Sequence, residues 1–481
     1  METTLQVLSA DECSRIHEET LRILSETGVR VDTAKGRWYL RQAGAEVDEG
    51  TTIVRMPRKL VEECLNQAPK DFSLGGRRLD RSIPMNRGRC AVILDGGAIY
   101  TYDAEAGERR PATKDDWYLA TRIGDCLDDI DVYWSVIEGC WGQAPGDTVA
   151  YWRAIFQNFS KHVQDATMTQ EQSRWMLEVL QVVFGSREEF KKTLPVSFVL
   201  CPASPLIIEA SYTDAYLETL EWGIPAAVMT MPLFGLSGPA SLVSELVLAN
   251  CETISMLCLI QSAAPGTPFI YAAAPVIADM HSGRFGSGEV EHSLLGAAVT
   301  EIARFYQLPV EASVGGSDQH VPCIQAGYER ALNYTLPILA RPDLLVAPGL
   351  LGGSTIFSPE QLIMDVEVIQ RCKRLSQGIG SGAEKWLGEV IATLGSGGNY
   401  LTHTSTRKAV RSGEIYFSKL GLHGTYDQWV SSGSQDLLSE IRQNIRELLS
   451  IKQPLPLSES AERELEYLEK RARSSDLHRE I

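Results

Sequence analysis

The sequence lacks several patterns that mark common enzyme classes. None of its ten cysteines forms a C-x-x-C pair, which excludes zinc ribbons and iron–sulfur runs and argues against a disulfide scaffold. It has no G-x-x-x-x-G-K-[ST], no H-E-x-x-H and no G-x-S-x-G, which argues against a P-loop nucleotide-binding protein, a zincin metalloprotease and a hydrolase with a nucleophile elbow. Its eight histidines never stand four residues apart, and we predict no metal site.

The chain also lacks an excess of basic residues. Its 45 lysines and arginines face 62 aspartates and glutamates, a net charge of −17, which argues against nucleic-acid or anionic-membrane binding as its main role. The N-terminus shows no basic segment followed by an apolar one, so no secretory signal is predicted. The longest apolar stretch, 242–260, is interrupted by Glu245, Asn250 and Glu252 and predicts a buried helix. With scattered, reduced thiols, these features predict a cytoplasmic protein.

What the chain does contain is a repeating strand–helix alternation. Short β-branched runs at 132–136, 196–200, 226–230, 269–273, 310–314 and 344–347 predict six strands, most of them separated by amphipathic helices. Further strands are expected at 91–100, within a hairpin turning at Gly96-Gly97, and around 399–402. This alternation is typical of a (β/α)₈ barrel or an open doubly wound sheet. No strand end carries the G-x-G-x-x-G of a nucleotide-binding sheet, which favours the α/β TIM barrel.

The predicted organisation has three parts. Residues 1–85 form an N-terminal helical cap, in which Ser9 and Glu12 make a capping box, Asp32 or Thr33 caps a second helix, and Pro57 opens a third. Residues 86–455 form the barrel with a C-terminal helical segment. Residues 456–481 form a charged tail, expected to be a surface helix that frays.

Barrel chemistry is carried by loops that follow the C-terminal ends of the strands. Aromatic and acidic residues at these places are expected to meet at one mouth; they are Trp141, Phe234, Tyr271, Phe357, Glu311 and Asp318. Rings and carboxylates together suit a quaternary ammonium ligand, which has no proton to donate. The alternative is that these rings only pack between barrel and loops.

Several motifs resemble the trimethylamine methyltransferase family. They are the runs 279–283 (DMHSG), 288–289 (GE), 306–309 (YQLP), 315–318 (GGSD), 325–329 (QAGYE), 103–107, 110–116 and 426–429 (YDQW). The resemblance extends over about residues 6–450. It implies a barrel enzyme that takes a methyl group from a methylated amine and passes it to the cobalt of a separate corrinoid protein. It therefore implies no tightly bound cofactor, the methylated cobamide (cobalamin) belonging to the partner.

The founding enzymes of that family carry pyrrolysine in the loop after the GG-[ST]-D element. Here Gln319 or His320 stands at that place, so the chain resembles the non-pyrrolysine branch, whose members act on quaternary amines such as glycine betaine. A quaternary ammonium already carries its positive charge, and its leaving group is a neutral tertiary amine. Attack by Co(I) therefore requires orientation and exclusion of water but no general acid. On this basis Gln319, His320 and Glu311 are the candidate catalytic residues.

A betaine substrate also carries a carboxylate, which requires a basic or hydrogen-bonding partner. The candidates are His162, His320 and Arg284, which complete the predicted substrate-binding set with Trp141, Phe234, Tyr271, Asp318 and Phe357. Corrinoid-binding modules ligate cobalt through the histidine of a D-x-H-x-x-G motif. Asp279 and His281 match the start of that motif, but Arg284 stands where its glycine should be, so the chain is not expected to hold a corrinoid of its own. The predicted partners are a quaternary amine, a corrinoid protein and other copies of the chain.

Two other hypotheses remain from the sequence. The chain could bind a quaternary amine without turning it over, as a sensor or carrier. A pyridoxal- or metal-dependent barrel enzyme is a weaker alternative, because the nearest lysines to a strand end are Lys161 and Lys373.

Overall fold

A computed structural model describes residues 5–346, 348–421 and 423–477. Eight parallel strands form one sheet: β1 (Ala91–Ile93), β2 (Val132–Tyr133), β3 (His162–Asp165), β4 (Val196–Leu200), β5 (Ala226–Val228), β6 (Phe269–Tyr271), β7 (Glu311–Ser313) and β8 (Leu344–Val346). Each strand pairs with its neighbours in chain order, and β8 pairs with β1. A parallel bridge between Tyr271 and Val310 joins β6 to β7 and closes the ring. The predicted (β/α)₈ barrel is confirmed.

Seventeen α-helices surround and extend this barrel. They are α1 (Ala10–Glu26), α2 (Ala34–Gln42), α3 (Arg58–Gln67), α4 (Lys114–Cys126), α5 (Pro145–Asn158), α6 (Gln170–Phe184), α7 (Arg187–Thr193), α8 (Ala210–Leu217), α9 (Leu242–Ala263), α10 (Val290–Phe305), α11 (Ile324–Ala340), α12 (Pro359–Ser376), α13 (Gly388–Leu394), α14 (Thr404–Arg411), α15 (Tyr426–Ser431), α16 (Leu437–Ile451) and α17 (Glu459–Leu477), among the described residues. Short 3₁₀ turns lie at Leu220–Trp222 and Ala383–Lys385.

Local sequence accounts for where many helices begin. The Ser9 hydroxyl accepts the Glu12 N–H and the Glu12 carboxylate accepts the Ser9 N–H, the predicted capping box of α1. Thr33 caps α2, and Pro57 stands at the N-cap of α3. The apolar helix α9 is the one described helix long and apolar enough to cross a membrane, yet most of it is buried against α1, α2 and α3. It is the buried helix that the sequence predicts.

The barrel interior is filled by small and branched side chains from alternate positions of the strands, such as Ile93, Val199 and Ala227. A small antiparallel hairpin, Ser73–Leu74 with Ile83–Pro84, extends this core. Its Leu74 and Ile83 side chains pack with the interior residues, beside the start of β3. The end of the barrel opposite the catalytic loops is therefore closed by apolar packing.

The N-terminal part is not purely helical. Strands Val29–Val31, Glu46–Asp48 and Ile53–Arg55 join Ile207–Ile208 in a four-stranded sheet, which ties this part to the loop after β4. At the other end of the chain, α17 packs on α5 and α6 with Leu465, Leu468 and Ala472 buried. Residues 1–4 and 478–481 of the predicted cap and tail lie outside the described residues, and the predicted boundaries of the three parts remain predictions.

The strand predicted at 91–100 is confirmed at Ala91–Ile93, but one other strand and the hairpin are predicted wrongly. The eighth strand is not at 399–402, where the chain turns, but at β3, whose His-Val-Gln-Asp sequence is too polar to resemble a barrel strand. The run 91–103 does not form a hairpin, because β1 joins the barrel and Tyr100–Asp103 pairs instead with Glu108–Pro111 and Ile356–Phe357. The last residue of the strand predicted at 344–347, Ala347, lies outside the described residues.

Candidate functional site

A cavity of about 540 Å³ opens at the C-terminal mouth of the barrel. It lies between the loops that follow β2, β3 and β4, on one side of the mouth. Its aromatic walls are Trp134, Trp141, Tyr151, Trp152 and Tyr212, and its carboxylates are Asp165, Glu138 and Glu209. Among the residues the structure describes, no lysine, arginine or histidine lines it. The cavity is thus an aromatic and acidic chamber suited to a cation.

Asp165 is the inner carboxylate of this cavity. It ends β3, accepts a hydrogen bond from its neighbour's backbone N–H at Ala166 (2.8 Å), and accepts a short one from the Tyr151 hydroxyl. Burial raises the pKa of Asp165 to about 7, although both hydrogen bonds oppose that shift. The carboxylate is therefore poised to ionise fully when a cation enters. Glu138 and Glu209 stand at the open rim.

The rings of the cavity are held by one another and by the backbone. Trp141 packs edge-on against Trp117 and Tyr151, with centroids 5.2 and 5.6 Å away. The Tyr212 hydroxyl donates to the Val199 carbonyl at 2.7 Å. The Trp141 indole N–H is buried without an acceptor among the described residues, and the Lys114 ammonium lies 4.2 Å from its ring centroid. The rings of the chamber are therefore held in place, with the Lys114 ammonium over the Trp141 ring and the Trp141 N–H left without an acceptor among the described residues.

The loop after β7, at 315–320, forms a different part of the mouth. The Asp318 carboxylate accepts the backbone N–H groups of Ser287 (2.9 Å) and Gly288 (3.1 Å), just before α10. The Gln319 side chain donates to Gln325 at 2.7 Å, and the Gln319 carbonyl accepts the Gly352 N–H at 2.8 Å. His320 is exposed at the end of this loop, with its Nδ1 against Gly352. Asp318 and Gln319 are therefore engaged in holding the loop.

Glu311 and His162 lie inside the barrel and do not line the cavity. The Gln164 amide donates to both Glu311 carboxylate oxygens at 2.9 Å, and burial raises the pKa of Glu311 to about 7. The His162 ring joins Ser197 (2.8 Å) and the Gly75 carbonyl (2.9 Å), and burial lowers its pKa to about 4. The expectation that His162 stands near the mouth is wrong, because it begins β3 at the closed end.

The structure corrects the positions of several predicted substrate-binding residues. Tyr271 points outward from β6, and its hydroxyl donates to Asn250 of α9 at 2.8 Å, because neighbouring strand positions alternate between the two faces. Phe357 is fully buried in the strand Ile356–Phe357, which pairs with Tyr100–Asp103. Arg284 is exposed in a surface turn, its Nε 3.3 Å from Ser282. These three side chains pack or face solvent away from the cavity.

Of the predicted substrate-binding residues, Trp141 lines the cavity. Phe234 is half-buried in a short strand, Leu233–Phe234, that pairs with Val276–Ala278 in a small sheet after β5 and β6. The residues missed from the sequence include Trp134, Tyr151 and Asp165. Strand alternation from Val132 would have placed Trp134 inside, whereas Asp165 was hidden by the unrecognised β3 and Tyr151 by its place on α5.

Comparison with known proteins identifies the family. The profile described as "Trimethylamine methyltransferase (MTTB)" matches residues 2–476. The chain belongs to this family. The resemblance drawn from the sequence motifs is thereby confirmed.

Named relatives are similar over most of the chain. A trimethylamine methyltransferase MttB of Desulfitobacterium hafniense is 28% identical, covering 94% of this chain and 90% of that protein. The MttB of Methanosarcina barkeri is also 28% identical, with 94% and 92% covered. A glycine betaine methyltransferase of D. hafniense is 26% identical, with 88% of each covered. The relatives of the chain thus include methyltransferases named for trimethylamine and for glycine betaine.

Solved structures of similar shape are those of the monomethylamine methyltransferase MtmB. The M. barkeri enzyme has a TM-score of 0.48 and 11% identity, covering 91% of this chain and 92% of that one. A hydroxylamine complex of MtmB has a TM-score of 0.49 and 12% identity, with 92% of each chain covered.

Proposed function

We propose that the protein transfers a methyl group from a quaternary amine to the reduced cobalt of a corrinoid carried by a separate protein. The observation that carries this proposal is the cavity, with its aromatic walls, its inner carboxylate at Asp165 and no basic residue among the described lining. An N-methylated cation is held by ring faces and a nearby carboxylate without any proton being donated. Family membership supplies the reaction class.

The chemistry requires little covalent help from the chain. The acceptor supplies the nucleophile as an electron pair, which forms a new bond to the methyl carbon while the C–N bond breaks. The electrons of that bond stay on nitrogen, so a neutral tertiary amine leaves and no acid is needed. The role left to the cavity is to fix the C–N bond toward the open mouth and exclude water. Trp134, Trp141 and Tyr151 are placed to do this.

In this proposal the corrinoid comes from outside, on a separate protein. The D-x-H run at 279–281 lies in a surface turn, where the Asp279 carboxylate accepts the His281 backbone N–H at 2.9 Å and a short bond from Ser282. This carboxylate is therefore committed to its own turn. Within the described residues, this turn does not form the histidine loop of a corrinoid-binding module, which supports the proposal of a separate carrier that docks at the mouth.

The rim of the mouth offers apolar contacts for such a carrier. Met168 follows β3, Met231 follows β5, and Leu236 and Met280 lie in turns that follow strands of the small sheet, all with exposed side chains. Methionine side chains adapt to different partner surfaces. Docking there would cover these side chains and close the cavity over its ligand.

The residues that line the cavity also influence which quaternary amine is the substrate. The glycine betaine relative supports a betaine, whose carboxylate would find the Trp141 N–H as an unused donor. The described lining holds no basic partner for that carboxylate, so a quaternary amine with an uncharged second end is equally accommodated. A panel containing glycine betaine, carnitine and choline separates these cases.

The test is a reconstitution with a reduced corrinoid protein. We expect one or more quaternary amines to methylate its cobalt, seen in the corrinoid absorbance, with release of the matching tertiary amine. Trimethylamine should give no transfer. If calorimetry shows quaternary-amine binding but no panel member methylates the corrinoid, the protein is a binding protein and the enzymatic proposal fails.

A further inference from the structure

The outer face of α11 carries no charge. The exposed residues from its N-cap to its end are Cys323, Ile324, Gly327, Tyr328, Ala331 and Leu332. Ile324 is 90% exposed, and its neighbours four and eight residues on continue the apolar stripe. The exposed side of α1, by contrast, includes Asp11, Glu18 and Arg22. A solvated barrel helix normally presents charged residues to water, so the α11 face indicates a covered surface.

The α11 face continues onto the next helix. Val290 and Leu294 of α10 are exposed apolar residues, and Ser293 donates to the carbonyl of Asn333 on α11 at 3.2 Å, which fixes the two helices side by side. Glycine and alanine at 327 and 331 let another backbone approach closely. The two helices together offer one apolar patch beside the loop at 315–320.

A second apolar surface lies in the segment 377–436, which we call the arm. Among its described residues, 377–421 and 423–436, Leu420 alone is buried. The exposed apolar residues of the arm include Trp386, Leu401, Ile415, Phe417 and Tyr426, with Leu401 79% exposed. Ordering a backbone costs about 1–2 kcal/mol per residue, which one buried leucine cannot offset. The arm therefore needs a surface to cover it.

A basic cluster on one helix of the arm complements the acidic surroundings of the α11 face. The arm holds five basic and five acidic residues, in a chain whose net charge is −17. Its helix α14 presents Arg407, Lys408 and Arg411, which form no ion pair with any residue that the structure describes. The patch on α10 and α11 begins beside Glu289 and Glu291, near Asp318 and Asp279, and these carboxylates together raise the pKa of Glu289 beyond the effect of its burial.

We propose that the α11 face is covered in solution by the arm of a second copy of this chain. The same chain supplies both surfaces, so each copy can give its arm and receive one, and the contact closes with two-fold symmetry or as a ring. Ile324 follows the loop at 315–320 directly, so the second copy also lies beside one side of the barrel mouth.

The test is the mass of the full-length protein at micromolar concentration, by sedimentation or light scattering. We expect at least twice 53.0 kDa for the wild type. Ile324→Glu on the face and Leu401→Glu on the arm should each weaken association by about tenfold or more, because each places a charge in an apolar contact. Leu79→Glu, at an equally exposed leucine outside both surfaces, is the matched control and should associate as the wild type does. Circular dichroism checks that every variant is folded.

A mixture of the two interface variants tests which surfaces meet. A pair formed from one Ile324→Glu chain and one Leu401→Glu chain retains one intact arm-on-face contact, so mixing should restore association. If α11 instead packs on α11 of the second copy, Leu401→Glu alone has no effect and the arm contact is refuted. A monomeric wild type, or association that survives both substitutions, overturns the proposal.

Discussion

The two sides of the barrel mouth differ in what their polar groups are free to do. At the cavity, Asp165 is buried with two hydrogen bonds, the Trp141 N–H has no acceptor among the described residues, and the lining leaves a space of about 540 Å³. At the loop 315–320, the Asp318 carboxylate and the Gln319 amide are taken up by hydrogen bonds within the fold. The family motif at 315–318 therefore holds the shape of its loop, and we propose that the ligand binds at the cavity on the other side of the mouth.

Asp165→Asn should give the largest change in binding. The substitution keeps the shape and the one hydrogen bond from the Tyr151 hydroxyl but removes the charge and the second oxygen acceptor, so we expect quaternary-amine affinity to fall by about 30-fold, or about 2 kcal/mol. Calorimetric titration measures it. Asp318→Asn is the matched control on the loop, and it should leave the affinity within about twofold. Equal losses in both variants would contradict the division between the two sides.

The pH dependence of binding should follow Asp165. Its pKa is raised to about 7, so the carboxylate is mostly protonated at pH 6 and mostly ionised at pH 8. A cation prefers the ionised form, and affinity should rise with pH by up to about tenfold over that interval and then level off. Titrations at both values measure it. A flat profile in the wild type, or an unchanged slope in Asp165→Asn, would assign the pH response elsewhere.

Trp141→Leu should weaken binding by about five- to tenfold, since a partly desolvated cation–π contact contributes about 1–1.4 kcal/mol. The comparison variant is Tyr271→Phe, which removes a hydroxyl bonded to Asn250 outside the barrel and should leave affinity unchanged. Fluorescence or calorimetric titration distinguishes them. A loss of affinity in Tyr271→Phe would show that Tyr271 contributes to ligand binding.

His320→Ala should have the smallest effect on ligand affinity, below about twofold, because the side chain is exposed beyond the cavity lining. The same variant assayed for cobalt methylation shows whether His320 acts later, when the carrier is docked. Weakened amine binding in this variant would extend the ligand site across the mouth to the loop.

The fold was predictable in large part because barrel strands and helices have strong periodicities. The capping box at Ser9 and the buried helix α9 also followed from local chemistry. The strand β3 was not predictable, since its inward-facing His162 and Gln164 bond Ser197 and Glu311 inside the barrel and break the apolar pattern of a strand. Because β3 could not be recognised, Asp165 could not be identified as a residue at a strand end. Tyr271 was expected at the mouth, but side chains alternate along β6 and its side chain points outward.

Residues contributed from helices were harder still to predict. Tyr151 reaches the cavity from α5, where no spacing distinguishes it from a core tyrosine. Trp141 was found because it follows a strand that was recognised. The site could therefore be predicted where a strand end was visible, and not where tertiary packing brought a helix to the mouth.

The apolar closure at the far end of the barrel has a kinetic consequence. With Leu74 and Ile83 packed into that end, the ligand must use the mouth both to enter and to leave. A carrier seated on the mouth would block this path in either direction. The amine should therefore bind before the carrier, and the demethylated product should leave after it, so an excess of carrier should slow turnover by trapping the empty enzyme.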